Sequence, residues 1–288
     1  MRGVLTTLCL LAILAGVPSV RAEETIKVFV SILPQKYFAE RIGGARVQVE
    51  SLVRPGFNAE TYELSPRQVA SLSVADVYFR IGVPFESIWI KKISAVNPAL
   101  KIIDCCHELM PAKHQSGKQQ LDNPVMHAYD AHVWTSPRNA MYIANLVVKT
   151  LIDMDPASRE YYESNHTRLV QDVNDLDEFI RQELASLPNR YLVVAHPSWS
   201  HFADAYGLEQ VALERHGTEI RPRELSELVE FARSNNIHTV YVEKQFSSAA
   251  ARLLAAEIGA AIKELDPLAE DYISNMKNTA QAIKAGAR

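Results

Sequence analysis

Short apolar runs rich in β-branched residues recur through the first third of the chain, and each is followed by a helical pattern. The runs at residues 25–32, 47–53 and 77–81 predict strands. Helices are predicted over residues 35–42, from Ser65-Pro66 onward and over residues 85–93, with a proline favouring the start of the second of these. Alternation of strands and helices is typical of a parallel sheet with crossover helices.

The second half repeats this alternation. Strands are predicted at residues 191–195, 210–213, 238–242 and 261–265. Helices are predicted at residues 198–206, 222–235 and 247–258, with a final helix that ends near Lys284. The chain therefore predicts a second α/β lobe.

Residues 156–187 lie between the two patterns and contain no internal glycine or proline. Their large apolar residues recur at three- and four-residue spacings, which predicts one amphipathic helix of about 45 Å at 1.5 Å per residue. The predicted fold is α/β: two lobes of mostly parallel sheet flanked by helices, joined by one long rigid linker helix. The predicted lobes cover residues 23–150 and 190–288.

The first 22 residues differ from the rest. Arg2, an apolar run of about a dozen residues and a small residue at Ala22 predict a cleaved secretory signal peptide. The alternative is a membrane anchor, but the run is shorter than the roughly 20 residues that span a bilayer. We therefore expect a periplasmic protein.

Charge and cysteine usage limit the partners. The whole chain has a net charge of −4, and cleavage removes two of its arginines, Arg2 and Arg21. A mixed, mildly acidic surface argues against a nucleic-acid partner, because nucleic acid favours a basic stripe on the protein. We also expect the chain to be a monomer. Cys105 and Cys106 follow an apolar run, so we expect a buried strand end; a disulfide between them or a thiol site is the alternative.

Four metal-capable side chains lie near predicted strand ends. His196 and Asp266 directly follow strands, Glu60 lies in the loop after residues 47–53, and His132 lies in a loop of the first half. Ligands of open α/β sheets gather at the carboxyl ends of strands, so two lobes could enclose one ion.

Three of these residues also have a simpler interpretation. Glu60 could be a solvated loop carboxylate, His132 a histidine packed beside Trp134, and Asp266 a turn residue before Pro267. His127 and Glu243 are candidate accessory residues.

Five ordered segments carry a resemblance to a known family: 53–66, 130–137, 193–208, 242–247 and 265–268. They contain Pro55-Gly56, Tyr62-Glu63, Asp130-Ala131-His132-Val133-Trp134, Ala195-His196, Val242-Glu243 and Leu265-Asp266-Pro267. The chain resembles the periplasmic solute-binding proteins of ABC-type zinc and manganese importers over nearly its whole mature length.

That resemblance implies a metal bound between two helix-linked lobes, and a membrane permease and ATPase as partners. It implies Glu60, His132, His196 and Asp266 as ligands, although Glu60 stands where the family has histidine. A set of two nitrogens and two oxygens accepts Zn²⁺ or Mn²⁺ as the transported ion, and the exchange of imidazole for carboxylate moves preference toward manganese.

Two other functions compete with metal delivery. A secreted zinc hydrolase would need an open coordination position and a general base, for which Glu243 is the candidate. An adhesion or interaction protein could keep a vestigial metal site. We expect the chain not to be an enzyme.

Overall fold

The first lobe contains a parallel sheet with helices between its strands. In this computed structural model, residues 25–109, 130–215 and 218–287 are described, so the predicted signal peptide and His127 lie outside them. The strands are β1 (Ile26–Val30), β2 (Val47–Ser51), β3 (Val77–Arg80) and β4 (Lys101–Asp104). The helices are α1 (Leu33–Gly43), α2 (Pro66–Leu72) and α3 (Pro84–Val96). The strands lie in the order β2-β1-β3-β4.

A second parallel sheet forms the other lobe. Its strands are β5 (Tyr191–Val194), β6 (Glu209–Ala212), β9 (Thr239–Val242) and β10 (Ala261–Glu264), in the order β10-β9-β5-β6. A short antiparallel pair, β7 (Glu214–Arg215) and β8 (Thr218–Glu219), follows β6. The helices are α6 (Ser200–Tyr206), α7 (Pro222–Ser234), α8 (Ala249–Ile258) and α9 (Tyr272–Gly286).

Both sheets share one topology, because the first strand of each lies between the second and the third. The chain therefore leaves β1 in one direction and returns on the other side of it, and does the same at β5. Such a switch point opens a crevice at the carboxyl ends of the strands. Each lobe thus offers one crevice at which a ligand can bind.

The long helix α5 (Arg159–Leu184) links the lobes, and α4 (Pro137–Met154), which packs against α1 and α5, precedes it. The 26 residues of α5 span about 39 Å at 1.5 Å per residue. The predicted linker helix is therefore confirmed with narrower bounds, preceded by a 3-10 turn at Pro156–Ser158. Helix α4 was not predicted, although its buried residues follow helical spacing.

Helix α5 packs against both lobes. On the first lobe, Asn165 donates a 2.9 Å hydrogen bond to the carbonyl oxygen of Ile42. On the second, Tyr206 donates a 2.7 Å hydrogen bond to Asp177. The larger hydrophobic core is continuous from β1 through α4 and α5 to α9, while a smaller core fills the other face of the second sheet. The lobes therefore share the larger of the two cores.

Both neighbouring cysteines are fully buried at the end of β4, and neither forms a disulfide. This confirms the expected buried strand end at Cys105 and Cys106. Burial raises the pKa of the Cys106 thiol to about 12, so it stays protonated at neutral pH. None of the helices within the described ranges is long and apolar enough to span a bilayer.

Candidate metal centre

His196 lies at the switch point of the second sheet. It lies two residues after the end of β5. The Ala195 amide donates a 2.8 Å hydrogen bond to the Tyr241 carbonyl, and the Glu214 amide donates a 3.0 Å hydrogen bond to the Ala195 carbonyl, so sheet-like pairing continues up to His196. Its side chain is only 3% exposed. The Phe246 ring stacks on the imidazole, with ring centroids 3.6 Å apart and planes at 13°. The ring of His196 is therefore buried in a fixed orientation.

Glu60 reaches His196 from the first lobe. Its Oε1 lies 3.2 Å from Nε2 of His196, and its side chain is 30% exposed. The loop that carries it has no regular structure, but Asn58 Oδ1 accepts a 2.6 Å hydrogen bond from the Glu60 amide. Tyr62 is buried behind it, in edge contact with Phe85. The two lobes thus meet at a carboxylate and an imidazole.

These contacts shift both pKa values. Burial alone would lower the pKa of His196, but the close approach of Glu214 and Glu60 outweighs burial and raises the pKa to about 10. The approach of His196 in turn lowers the pKa of Glu60 below its ordinary value, against the opposing effect of burial. These opposite shifts favour a proton on His196 and a negative charge on Glu60 at neutral pH.

His132 lies beside His196, with ring centroids 5.5 Å apart. It is 7% exposed, and its Nδ1 lies 2.6 Å from Oδ1 of Asp130. The other oxygen of Asp130 accepts hydrogen bonds from the amide (3.1 Å) and hydroxyl (2.5 Å) of Ser200, in the second lobe. Burial would raise the pKa of Asp130, but the charge and hydrogen bonds of His132 lower it overall. His132 is thus held by an ionised carboxylate.

Asp266 follows β10 by two residues and lines a different part of the cleft. Its Oδ1 accepts hydrogen bonds from the Leu268 amide (2.9 Å) and from Gln245 (3.2 Å). It faces a cavity of about 200 Å³, whose other wall comes from the first lobe. The first-lobe lining consists of Leu33, Val53, Arg54, Pro55 and Gly56. Asp266 is therefore at the interface between the lobes, as a turn residue that also faces the cleft.

Glu243 follows β9 directly and is almost fully buried. Its Oε1 accepts a hydrogen bond from Ser198, whereas its Oε2 is buried without a hydrogen-bond partner among the described residues. Burial raises the pKa of Glu243 to about 7, against the opposing charges of His132 and His196. A buried carboxylate with one unsatisfied oxygen is costly unless a cation or a proton compensates it.

The structure brings Glu60, His132 and His196 together, and it adds one residue that the sequence analysis missed. Within the described ranges, one group offers three ligand atoms within 4.8 Å of one another: Glu60, His196 and Glu214. Neither His132 nor Asp266 belongs to that group, so their role as ligands stays a prediction. His127 lies outside the described residues.

Comparison with known proteins identifies the family. The model of the family described as "Zinc-uptake complex component A periplasmic" matches residues 28–286, nearly the whole described chain. The chain belongs to this family. The family consists of solute-binding proteins of ABC transporters and contains no enzymes, which removes support from the hydrolase alternative.

A solved structure and individual relatives agree with this assignment. A crystal structure of ZnuA covers 92% of this chain and 100% of its own, at 37% identity and a TM-score of 0.83. The "High-affinity zinc uptake system protein ZnuA" of Bacillus subtilis (strain 168) is 25% identical, over 91% of this chain and 87% of its own. The "Iron-binding protein YfeA" of Yersinia pestis is 26% identical, over 86% and 82%. Relatives of the chain thus carry names for different metals.

Proposed function

We propose that this chain captures one divalent transition-metal ion between its lobes and delivers it to the membrane permease of an ABC importer. The observation that supports this most directly is the approach of Glu60 to the buried Nε2 of His196 across the interface, at 3.2 Å. Because the two side chains come from separate lobes, together they can form an ion site that neither lobe forms alone.

We propose Glu60, His132, His196 and Asp266 as the ligands. The closeness of the two imidazoles supports both histidines, and the switch-point crevice of the second sheet also supports His196. Asp266 rests on its place in the cleft and on the family motif. Two carboxylates neutralise a divalent ion in a partly dry cleft.

Zinc is the ion that we propose first, with manganese as its competitor. Zinc accepts nitrogen and oxygen ligands in tetrahedral sites and binds such sites more tightly than manganese does. Relatives named for zinc and for iron make iron(II) a third ion to test. We further propose that the chain acts in the periplasm after cleavage of its signal peptide.

Elemental analysis tests this function. Protein purified without chelator should contain about one equivalent of a transition metal, and zinc should displace manganese and iron(II) in competition. Reconstituted permease and ATPase should take up metal only when the loaded protein is added. A well-folded preparation that stays metal-free in saturating zinc, manganese and iron(II) would refute the proposal.

Zinc binding is expected to release about one proton per ion at pH 7–8. The raised pKa of His196, about 10, keeps its imidazole protonated in the metal-free protein, and the ion can bind Nε2 only when that proton leaves. Apparent zinc affinity should therefore rise about tenfold per pH unit between roughly pH 7 and 9 and fall as pH drops. Calorimetry in buffers of different ionisation enthalpy measures the proton number; a value of zero would contradict the assignment.

Glu243→Gln is expected to weaken zinc binding by about tenfold, which corresponds to roughly 1.4 kcal/mol. The buried carboxylate stabilises a cation bound among the neighbouring histidines, and the amide removes that charge while keeping the shape. Chelator competition measures the affinity. Glu264→Gln, which removes a half-exposed carboxylate on β10, is the matched control and should bind zinc as the parent does.

A further inference from the structure

In both histidines of the candidate centre, the Nδ1 atom lies within hydrogen-bond distance of a carboxylate. Nδ1 of His132 lies 2.6 Å from Asp130, and Nδ1 of His196 lies 2.9 Å from Glu214. Asp130 comes from the same short segment as its histidine, two residues before it. Glu214 comes from a separate element, 18 residues after its histidine. The same Nδ1–carboxylate contact therefore occurs at both histidines, once with a carboxylate from the histidine's own segment and once with a carboxylate from a separate element.

The sheet register places Glu214 beside His196. Beyond the paired residues of β5 and β6, Leu213 donates a 2.9 Å hydrogen bond to the Val194 carbonyl, and Glu214 donates a 3.0 Å hydrogen bond to the Ala195 carbonyl. The backbone of Glu214 is thus fastened to the residue before His196. Its carboxylate is 19% exposed, so it lies at the edge of the buried site rather than in free solvent.

Three contacts remove the freedom of the His196 ring. Phe246 covers one face, Glu214 holds Nδ1, and Nε2 faces Glu60. Nε2 is buried and forms no well-directed hydrogen bond with any residue in the described part of the chain. A histidine whose Nδ1–H donates to a carboxylate must present Nε2 as its free ligand atom.

We infer that Glu214 is the positioning residue that fixes His196 with hydrogen on Nδ1 and leaves Nε2 for the ion. This inference rests on the proposed function and deepens it. Outer carboxylates of this kind orient a ligating histidine and increase its basicity. The competing role is direct ligation, since the Glu214 carboxylate lies within 4.8 Å of ligand atoms of Glu60 and His196.

Variants of Glu214 in the full mature chain separate these roles. Glu214→Ala should weaken zinc binding about 10- to 100-fold, the range typical of outer carboxylates. Glu214→Gln keeps an oxygen that accepts from Nδ1, so it should restore most of that loss. Glu209→Gln, at an exposed position of β6, is the control and should match the parent.

The ring nitrogens provide a second, structural readout. In zinc-loaded protein labelled with nitrogen-15 at histidine, long-range proton–nitrogen correlation should show His196 protonated on Nδ1 and metal-bound through Nε2. Glu214→Ala should lose or broaden the Nδ1–H signal, and Glu214→Gln should retain it. A destabilised but correctly positioned ring would not change this signature.

The outcomes are distinct. If Glu214→Gln loses as much affinity as Glu214→Ala and changes the visible spectrum of the cobalt(II)-loaded protein, Glu214 is a ligand and the inference is wrong. Unchanged affinity and an unchanged Nδ1–H signal in Glu214→Ala also overturn it. If the parent itself binds no zinc, the proposed function fails instead.

Discussion

His196→Ala is expected to reduce zinc affinity by more than about 100-fold, beyond the loss typical of an outer carboxylate. The substitution removes the most deeply buried ligand and leaves the carboxylates of Glu60 and Glu214 without the imidazole that lies between them. Glu60→Ala should cost much less, because Glu60 is partly exposed and water can take its coordination position. Chelator competition at fixed pH measures both losses.

The control for this prediction is His238→Ala. His238 is exposed directly before β9, at the end of the strand opposite to Glu243, and its loss should leave zinc affinity unchanged. Circular dichroism should show that all three variants fold. Metal retention by His196→Ala equal to that of the parent would contradict both the ligand assignment and the proposed site.

Trp134→Ala is expected to destabilise the protein by about 3–5 kcal/mol and to weaken zinc binding as well. The indole is 1% exposed, and its Nε1 donates a 2.7 Å hydrogen bond to the Pro267 carbonyl in the other lobe. Tyr272 donates a 2.8 Å hydrogen bond back to the Trp134 carbonyl. Trp134 therefore joins the segment of His132 to the loop of Asp266.

Urea unfolding and zinc competition measure the two effects. Trp134→Phe keeps most of the packing and removes only the N–H donor, so it should cost about 1 kcal/mol. Trp89→Ala is the matched control, because Trp89 is half-buried on α3 and contacts Lys92 rather than the other lobe. It should lower stability less and leave zinc affinity intact. Equal losses in both variants would show that Trp134 has no special role at the interface.

Most of the fold could be predicted from the sequence because buried parallel strands are short apolar runs bounded by turns. The linker helix followed from its spacing of apolar residues. Helix α4 carries the same signal, since Ala140, Ile143, Ala144, Val147 and Leu151 are all buried along one face. Its spacing of apolar residues is therefore sufficient to predict a helix there.

The candidate site was only partly predictable. His196 follows a strand, so its placement is local and the sequence reveals it. Glu214 approaches His196 through the continuation of β6 beside β5, which depends on a register that no local pattern encodes. For the same reason, the 3.2 Å approach of Glu60 to His196 could be expected only as convergence of two lobes, and not as a distance.

Helix α5 has a consequence for how cargo would leave. It is hydrogen-bonded to α1 through Asn165 and to α6 through Asp177, so a wide separation of the two lobes would break contacts along its whole length. The segment that carries Glu60 has no regular backbone structure, and the Glu60 amide donates its hydrogen bond to Asn58 within the same segment. We therefore expect discharge at the permease to begin with withdrawal of that one segment, while the remainder of the molecule keeps its shape.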